Sequence, residues 1–99
     1  MIINCFYDEC MEYADIVYLP NIKMDIEMLQ EHFFQWMFDK KNNHQYWVTI
    51  NSEKVYCQYG TQAFVEWLNQ YIIYHSSDKA YIIEENATMW DENNEYIVF

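Results

Sequence analysis

The feature that most constrains this chain is a change of hydrophobic period at Pro20. Before it, Ala14-Asp15-Ile16-Val17-Tyr18-Leu19 is a nearly continuous apolar run. Such a run reads as a strand covered on both faces or placed centrally in a sheet. After it, Ile22, Ile26, Leu29, Phe33, Trp36 and Met37 follow at spacings of 4, 3, 4, 3 and 1, which lines one face of a helix. Asp25, Glu27 and Glu31 fall in its first half, where carboxylates suit the positive helix end, and Lys40 and Lys41 follow its last turn. The expected helix covers about residues 22–39.

Asn42-Asn43 breaks that helix. Tyr46, Val48 and Ile50 then alternate with Trp47 and Thr49, and Val55, Cys57 and Tyr59 alternate with Tyr56 and Gln58. With Asn51–Lys54 as the turn, these form a hairpin with Trp47 and Tyr56 directed away from the Val48/Val55 face. Gly60-Thr61 opens a second helix with Thr61 as N-cap. Its core face is Phe64, Trp67, Leu68, Tyr71 and His75, and Ser76-Ser77-Asp78 ends it. Strands are expected at 80–83 and 95–99, with a polar loop over 84–94, and residues 2–7 as a further strand or short arm. The order β-α-β-β-α-β with an extra C-terminal strand predicts a small single α+β domain over 1–99. It would be an antiparallel sheet with two helices on one face, closest to the ferredoxin-like split βαβ unit.

Charge excludes whole classes of function. The 99 residues hold 16 Asp+Glu against 5 Lys+Arg, a net charge of -11, and all five cations are Lys. Direct nucleic-acid binding is not expected, because phosphates are neutralised by Lys and Arg. One Gly, at Gly60, cannot build a phosphate cradle. An aromatic content of 20% argues against disorder. The charge is also unevenly placed. Residues 1–39 carry a balance of -7, residues 40–79 carry +1, and residues 80–99 carry -5 with no Lys. The bland reading is solubility; the sharper one is a cationic partner, since a small domain needs a net charge of only about 2–8 to stay soluble.

Catalytic and cofactor chemistry leave no signature. Cys5, Cys10 and Cys57 match no common zinc spacing, and an odd count of three is no disulfide framework. Asp91-Glu92-Asn93-Asn94-Glu95 lacks the Gly and distal Glu of an EF-hand. His32 and His44 stand in no motif. No enzyme, metal or cofactor is expected. No apolar run approaches the roughly 20 residues of a membrane span, and the first residues show no basic stretch ahead of an apolar one. The expectation is a cytosolic protein with reduced thiols and no membrane partner, so the sequon Asn86-Ala87-Thr88 is read as chance. Phe34 and Phe38, with Met24 and Met28, lie off the main face of the first helix. They are covered by a terminal segment, or they form a homodimer or partner surface.

In its Arg-free, acidic, aromatic-rich character the chain resembles small phage and mobile-element inhibitors, chiefly anti-CRISPR and antirestriction proteins. Abundant Ile, Asn, Tyr and Phe match the AT-rich codon usage of a low-GC bacterium or its phage. The resemblance implies an acidic inhibitor in the host bacterial cytoplasm. It would bind a basic nucleic-acid-binding nuclease, a CRISPR effector or restriction enzyme, and compete with DNA or RNA. Candidate partner-binding residues are Glu84, Glu85, Trp90, Asp91, Glu92 and Glu95 in the C-terminal block, and Asp8, Glu9, Glu12 and Asp15 in the N-terminal one. Trp90, Tyr7 and Tyr13 are expected as exposed anchors. The alternatives are an immunity protein against a nuclease toxin and a homo-oligomeric structural or regulatory protein of a mobile element.

Overall fold

A computed structural model describes residues 1–99. The elements run β1 (Ile2–Phe6), β2 (Ala14–Tyr18), α1 (Ile26–Phe38), β3 (Trp47–Ile50), β4 (Glu53–Cys57), α2 (Thr61–Trp67), β5 (Tyr81–Ala87) and β6 (Tyr96–Val98). Four strands form one sheet in the order β5-β2-β1-β6, and β3 and β4 form a separate pair. β2 is antiparallel to β1 and β5, while β6 runs parallel to β1. The α+β class follows directly. The split βαβ order does not: the central hairpin stays out of the main sheet, and the place beside β1 goes to β6 in a parallel pairing.

Pairing sorts the sheet residues by face. Ile3, Cys5, Val17, Leu19 and Ile97 share one buried cluster with Ile26, Leu29, Phe33 and Met37 of α1, with Ala63, Phe64 and Trp67 of α2, and with Leu68 just after it. Both helices therefore cover the same face of the sheet, the inner face. The thinnest dimension of the molecule is 20 Å, which one helix layer on one sheet accounts for at about 10 Å each. Phe33 sits at the centre, its ring within 5.3–5.8 Å of the rings of Phe64, Trp67, Phe99 and Tyr59. The outer face holds Ile2, Asn4 and Phe6 of β1, across from Tyr18, Ile16, Tyr96 and Val98.

Local chemistry explains where the elements depart from periodicity. α1 starts at Ile26 rather than near 22 because the Asp25 carboxylate caps it, accepting from Met28 N at 2.8 Å. The β3–β4 turn is Asn51-Ser52, both at positive φ (52° and 64°). That is the backbone of a two-residue turn whose twist suits a hairpin. The turn is two residues shorter than the four-residue one, and a bulge follows Val48. Trp47 therefore pairs with Cys57, and Val48 with Tyr56. Trp47 and Tyr56 thus lie on opposite faces, not together, because a one-residue change of register flips every side chain.

Helix α2 begins after Gly60, which is its N-cap, and Thr61 is the first helical residue rather than the cap. The helix continues as a π-helical turn over Leu68–Ile72, with Ile73 N bonded to Leu68 O at 2.9 Å. That wider turn delays the buried stripe. Leu68 and Ile73 are buried, while Tyr71 and His75, which an α-period places on the core face, are exposed. β5 extends through Glu84 and Glu85 to Ala87, beyond the expected end at 83, because register shifts between Ala14 and Ile16 and between Ile16 and Val17 absorb its irregular residues.

Candidate protein-interaction surface

Two acidic blocks flank the same sheet. Asp8, Glu9 and Glu12 lie exposed in the β1–β2 loop, where the Asp8 carboxylate accepts from Cys10 N at 3.0 Å and holds the turn. Glu84 and Glu85 lie exposed on β5, the edge strand next to β2, with Glu84 opposite Ile16. Asp91, Glu92 and Glu95 are exposed in the segment joining β5 to β6. That segment crosses the outer face: Asn4 Nδ2 donates to Asp91 O at 2.9 Å, and Trp90 meets Phe6 edge-on at 5.2 Å. The Asp91 carboxylate accepts from Asn93 N at 2.9 Å, which orders the loop tip.

The N-terminal block borders the end of β5. Tyr7, Asp8, Cys10, Glu12 and Tyr13 line a shallow concavity of about 280 Å³ together with Asn86 of β5. The chain's cations are not all free to offset this charge. Lys54 donates to the carbonyls of Lys40 and Asn42 beyond the end of α1, and Lys79 donates to those of Ile73 and Tyr74 past the π turn. Lys79 thus serves the carbonyl-bearing end of the π turn, and Lys54 ties β4 to the segment after α1.

Asp15 does not belong to this surface. It is 7% exposed. Its Oδ2 accepts from Thr61 Oγ1 at 2.5 Å and its Oδ1 from Asn86 N at 2.9 Å. The residue sits across from Cys5 on the inner face, at the positive N-terminal end of α2. It ties β2 to β5 and to α2, which is a structural task. Trp90 is half-buried against Phe6 rather than freely exposed, whereas Tyr7 and Tyr13 are open to solvent, at 60% and 54%. The Tyr7 hydroxyl and ring lie so close to Gly60 that a Cβ there would come within 2.5 Å of the hydroxyl.

The three thiols are far from equivalent. Cys5 is buried, Cys10 exposed, and Cys57 half-buried with its Sγ 3.3 Å from Met37 O. Burial, reinforced by the Asp15 charge, pushes the Cys5 thiol far above its ordinary range. No three His, Cys, Asp or Glu side chains come together as metal ligands, and no helix is long and apolar enough to cross a membrane.

Sequence reasoning missed a second concavity. Trp36, His44, Tyr46, Glu66, Trp67 and Tyr71 are among the residues lining a cleft of about 450 Å³. Its walls come from α1, the segment after it, and α2 with its π turn. No spacing rule unites three such segments; the only trace was a surplus of aromatics around His44. No family model, curated protein or solved structure matches the chain.

Proposed function

We propose that this chain is an acidic protein inhibitor of the host bacterial cytoplasm. It docks on a basic nucleic-acid-binding protein, a defence nuclease of the CRISPR-effector or restriction type, and competes with DNA or RNA. The observation that carries this reading is the placement of eight exposed carboxylates, Asp8, Glu9, Glu12, Glu84, Glu85, Asp91, Glu92 and Glu95, around one sheet. Lys54 and Lys79 meanwhile donate to backbone carbonyls. Like charges gathered within a Debye length of about 8–10 Å reinforce one another and project a field that steers a cationic groove. Exposed Tyr7 and Tyr13 beside the acids supply apolar contact, the part of an interface that charge alone does not provide.

The test is capture from a bacterial lysate with salt raised in steps, using the wild-type chain and the combined variant Asp91→Lys, Glu92→Lys, Glu95→Lys. The captured protein is then identified and its nucleic-acid binding measured in competition. All three side chains are solvent-exposed, and the one hydrogen bond lost is the Asp91 acceptor of Asn93 N at the loop tip, so circular dichroism should be unchanged. Removing a central interface charge costs about 2–5 kcal/mol, and a rim charge acts mainly on the on-rate and its salt dependence. A nuclease toxin as the captured partner would make the chain an immunity protein with the same electrostatics. A second reading, a homo-oligomer, is favoured by exposed Phe38, Ile50, Val55 and Tyr56. Light scattering separates it, since an inhibitor needs its acidic face free in whatever oligomeric state it adopts.

A further inference from the structure

We propose that the cleft between residues 41–46 and α2 is a binding site for a guanidinium group, with an aromatic wall to stack it and a carboxylate to pair with it. The site lies away from the acidic sheet face and stands whether or not that face binds a basic partner. The Trp36 ring touches both the Tyr71 ring (centroids 5.6 Å apart, planes at 51°) and the His44 ring (4.7 Å), so the three form one continuous aromatic wall of the cleft. Aromatic faces carry negative potential and attract cations within about 6 Å. At about 450 Å³, the cleft falls within the roughly 300–1,000 Å³ of ordinary ligand sites.

Glu66 supplies the charge. Its Oε2 accepts from the Tyr46 hydroxyl, and its Oε1 accepts from Gln62 Nε2 at 3.2 Å. Both donors are neutral. A carboxylate has about four acceptor positions, so two remain for a forked donor. Guanidinium fits this set better than ammonium does, because it is planar, stacks on rings and pairs with a carboxylate through two parallel bonds.

The walls are held for the purpose. His44 Nδ1 accepts from Tyr46 N at 3.2 Å, which leaves Nε2 to donate to Met37 O at 2.8 Å. The ring is therefore a fixed surface with both nitrogens occupied. The π turn over Leu68–Ile72 takes Tyr71 off the buried stripe and leaves it 46% exposed at the cleft. Single π turns occur frequently at functional sites. Lys41 is the one opposing charge in the lining, and it gives the proposal a test of sign.

The test is an amide and indole NMR titration of the full chain with N-acetyl-arginine amide, the lysine analogue and the neutral citrulline analogue. Arginine should shift the Trp36 indole and the amides of residues 42–46 and 66–71; lysine should bind several-fold more weakly and citrulline not measurably. Loss of a charge-assisted pair predicts about tenfold weaker binding for Glu66→Gln, and Tyr71→Ala should weaken it about threefold. Lys41→Ala should strengthen it about twofold, by removal of a like charge. All three residues are exposed, and unchanged melting curves confirm intact folds. Blocked arginine binding as well as free arginine assigns the guanidinium to a protein side chain; free arginine binding at least tenfold better assigns it to a small metabolite. No localised shift with either arginine, equal binding of citrulline, or inverted responses in Glu66→Gln and Lys41→Ala would overturn the proposal.

Discussion

Replacing Asp15 tests whether a single buried carboxylate pins three elements together. Asp15→Ala removes the acceptor of the Thr61 hydroxyl, which is 2% exposed, and of the Asn86 N–H. A buried donor left without a partner costs about 1–3 kcal/mol. The Thr61 hydroxyl bears this cost in full, while Asn86 is exposed and its N–H regains water at about 1 kcal/mol or less. The sum is about 1–4 kcal/mol, a large share of the 5–15 kcal/mol typical of a small domain. In a domain of this size it lowers the melting temperature by roughly 4–30 °C. Asp15→Asn should cost about 1 kcal/mol or less, because its carbonyl still accepts from Asn86 and its amide faces a hydroxyl able to accept. Denaturant unfolding followed by tryptophan fluorescence measures both. A double variant with Thr61→Val should be less destabilised than the two single changes added together, since no orphaned hydroxyl remains. Asp15→Ala within about 0.5 kcal/mol of wild type, the range of ordinary surface changes, would refute the argument.

Other consequences can be measured separately. In the native protein Cys10 should react with a thiol reagent first, Cys57 more slowly, and Cys5 only on unfolding, as burial and the raised Cys5 thiol require; mass spectrometry of timed alkylation reads the order. Tyr18, hydrogen-bonded to Asp78, and Tyr46 and Tyr59, both partly desolvated, should ionise after the exposed tyrosines in a phenolate absorbance titration, and Asp78→Asn should bring Tyr18 back down. Their folded values lie above the unfolded value of about 10. Their contribution to stability is therefore complete below that pH and lost as pH rises through the raised values, which alkaline denaturation curves should show. Phe33→Ala, at the centre of the ring cluster, should cost about 3–5 kcal/mol in the same unfolding assay.

Much of the fold was legible because it rests on period. The run at 14–19, the helical face through Leu29, Phe33 and Met37, and the alternation at 47–57 each point to the element that forms. What escaped depends on single side chains or distant pairings. Asp25 reads equally well as a first-turn acid or as a cap, and only its bond to Met28 decides. The π turn moves Tyr71 out of the core without any Gly or Pro to announce it. The parallel β1–β6 pair joins segments some 90 residues apart, a relation no local pattern encodes. The acidic surface was legible because charge is a property of composition, and eight of its ten proposed residues are exposed acids. Asp15 was not separable from them, since its burial is set by Thr61 and Asn86, far along the chain.

The central proposal is that the exposed carboxylates around the sheet occupy a nucleic-acid groove, and a competition experiment tests it most directly. The captured partner is bound to fluorescent nucleic acid, and anisotropy is followed as the chain is added at several salt concentrations. Wild type should displace the nucleic acid, less effectively as salt rises. The variant carrying Asp91→Lys, Glu92→Lys and Glu95→Lys should displace it orders of magnitude less well, as the loss of several interface charges requires. Equal displacement by the two proteins at low and high salt would remove the C-terminal block from the interface. If reversal of Asp8, Glu9 and Glu12 to Lys also left displacement intact, the acidic-inhibitor account would be contradicted.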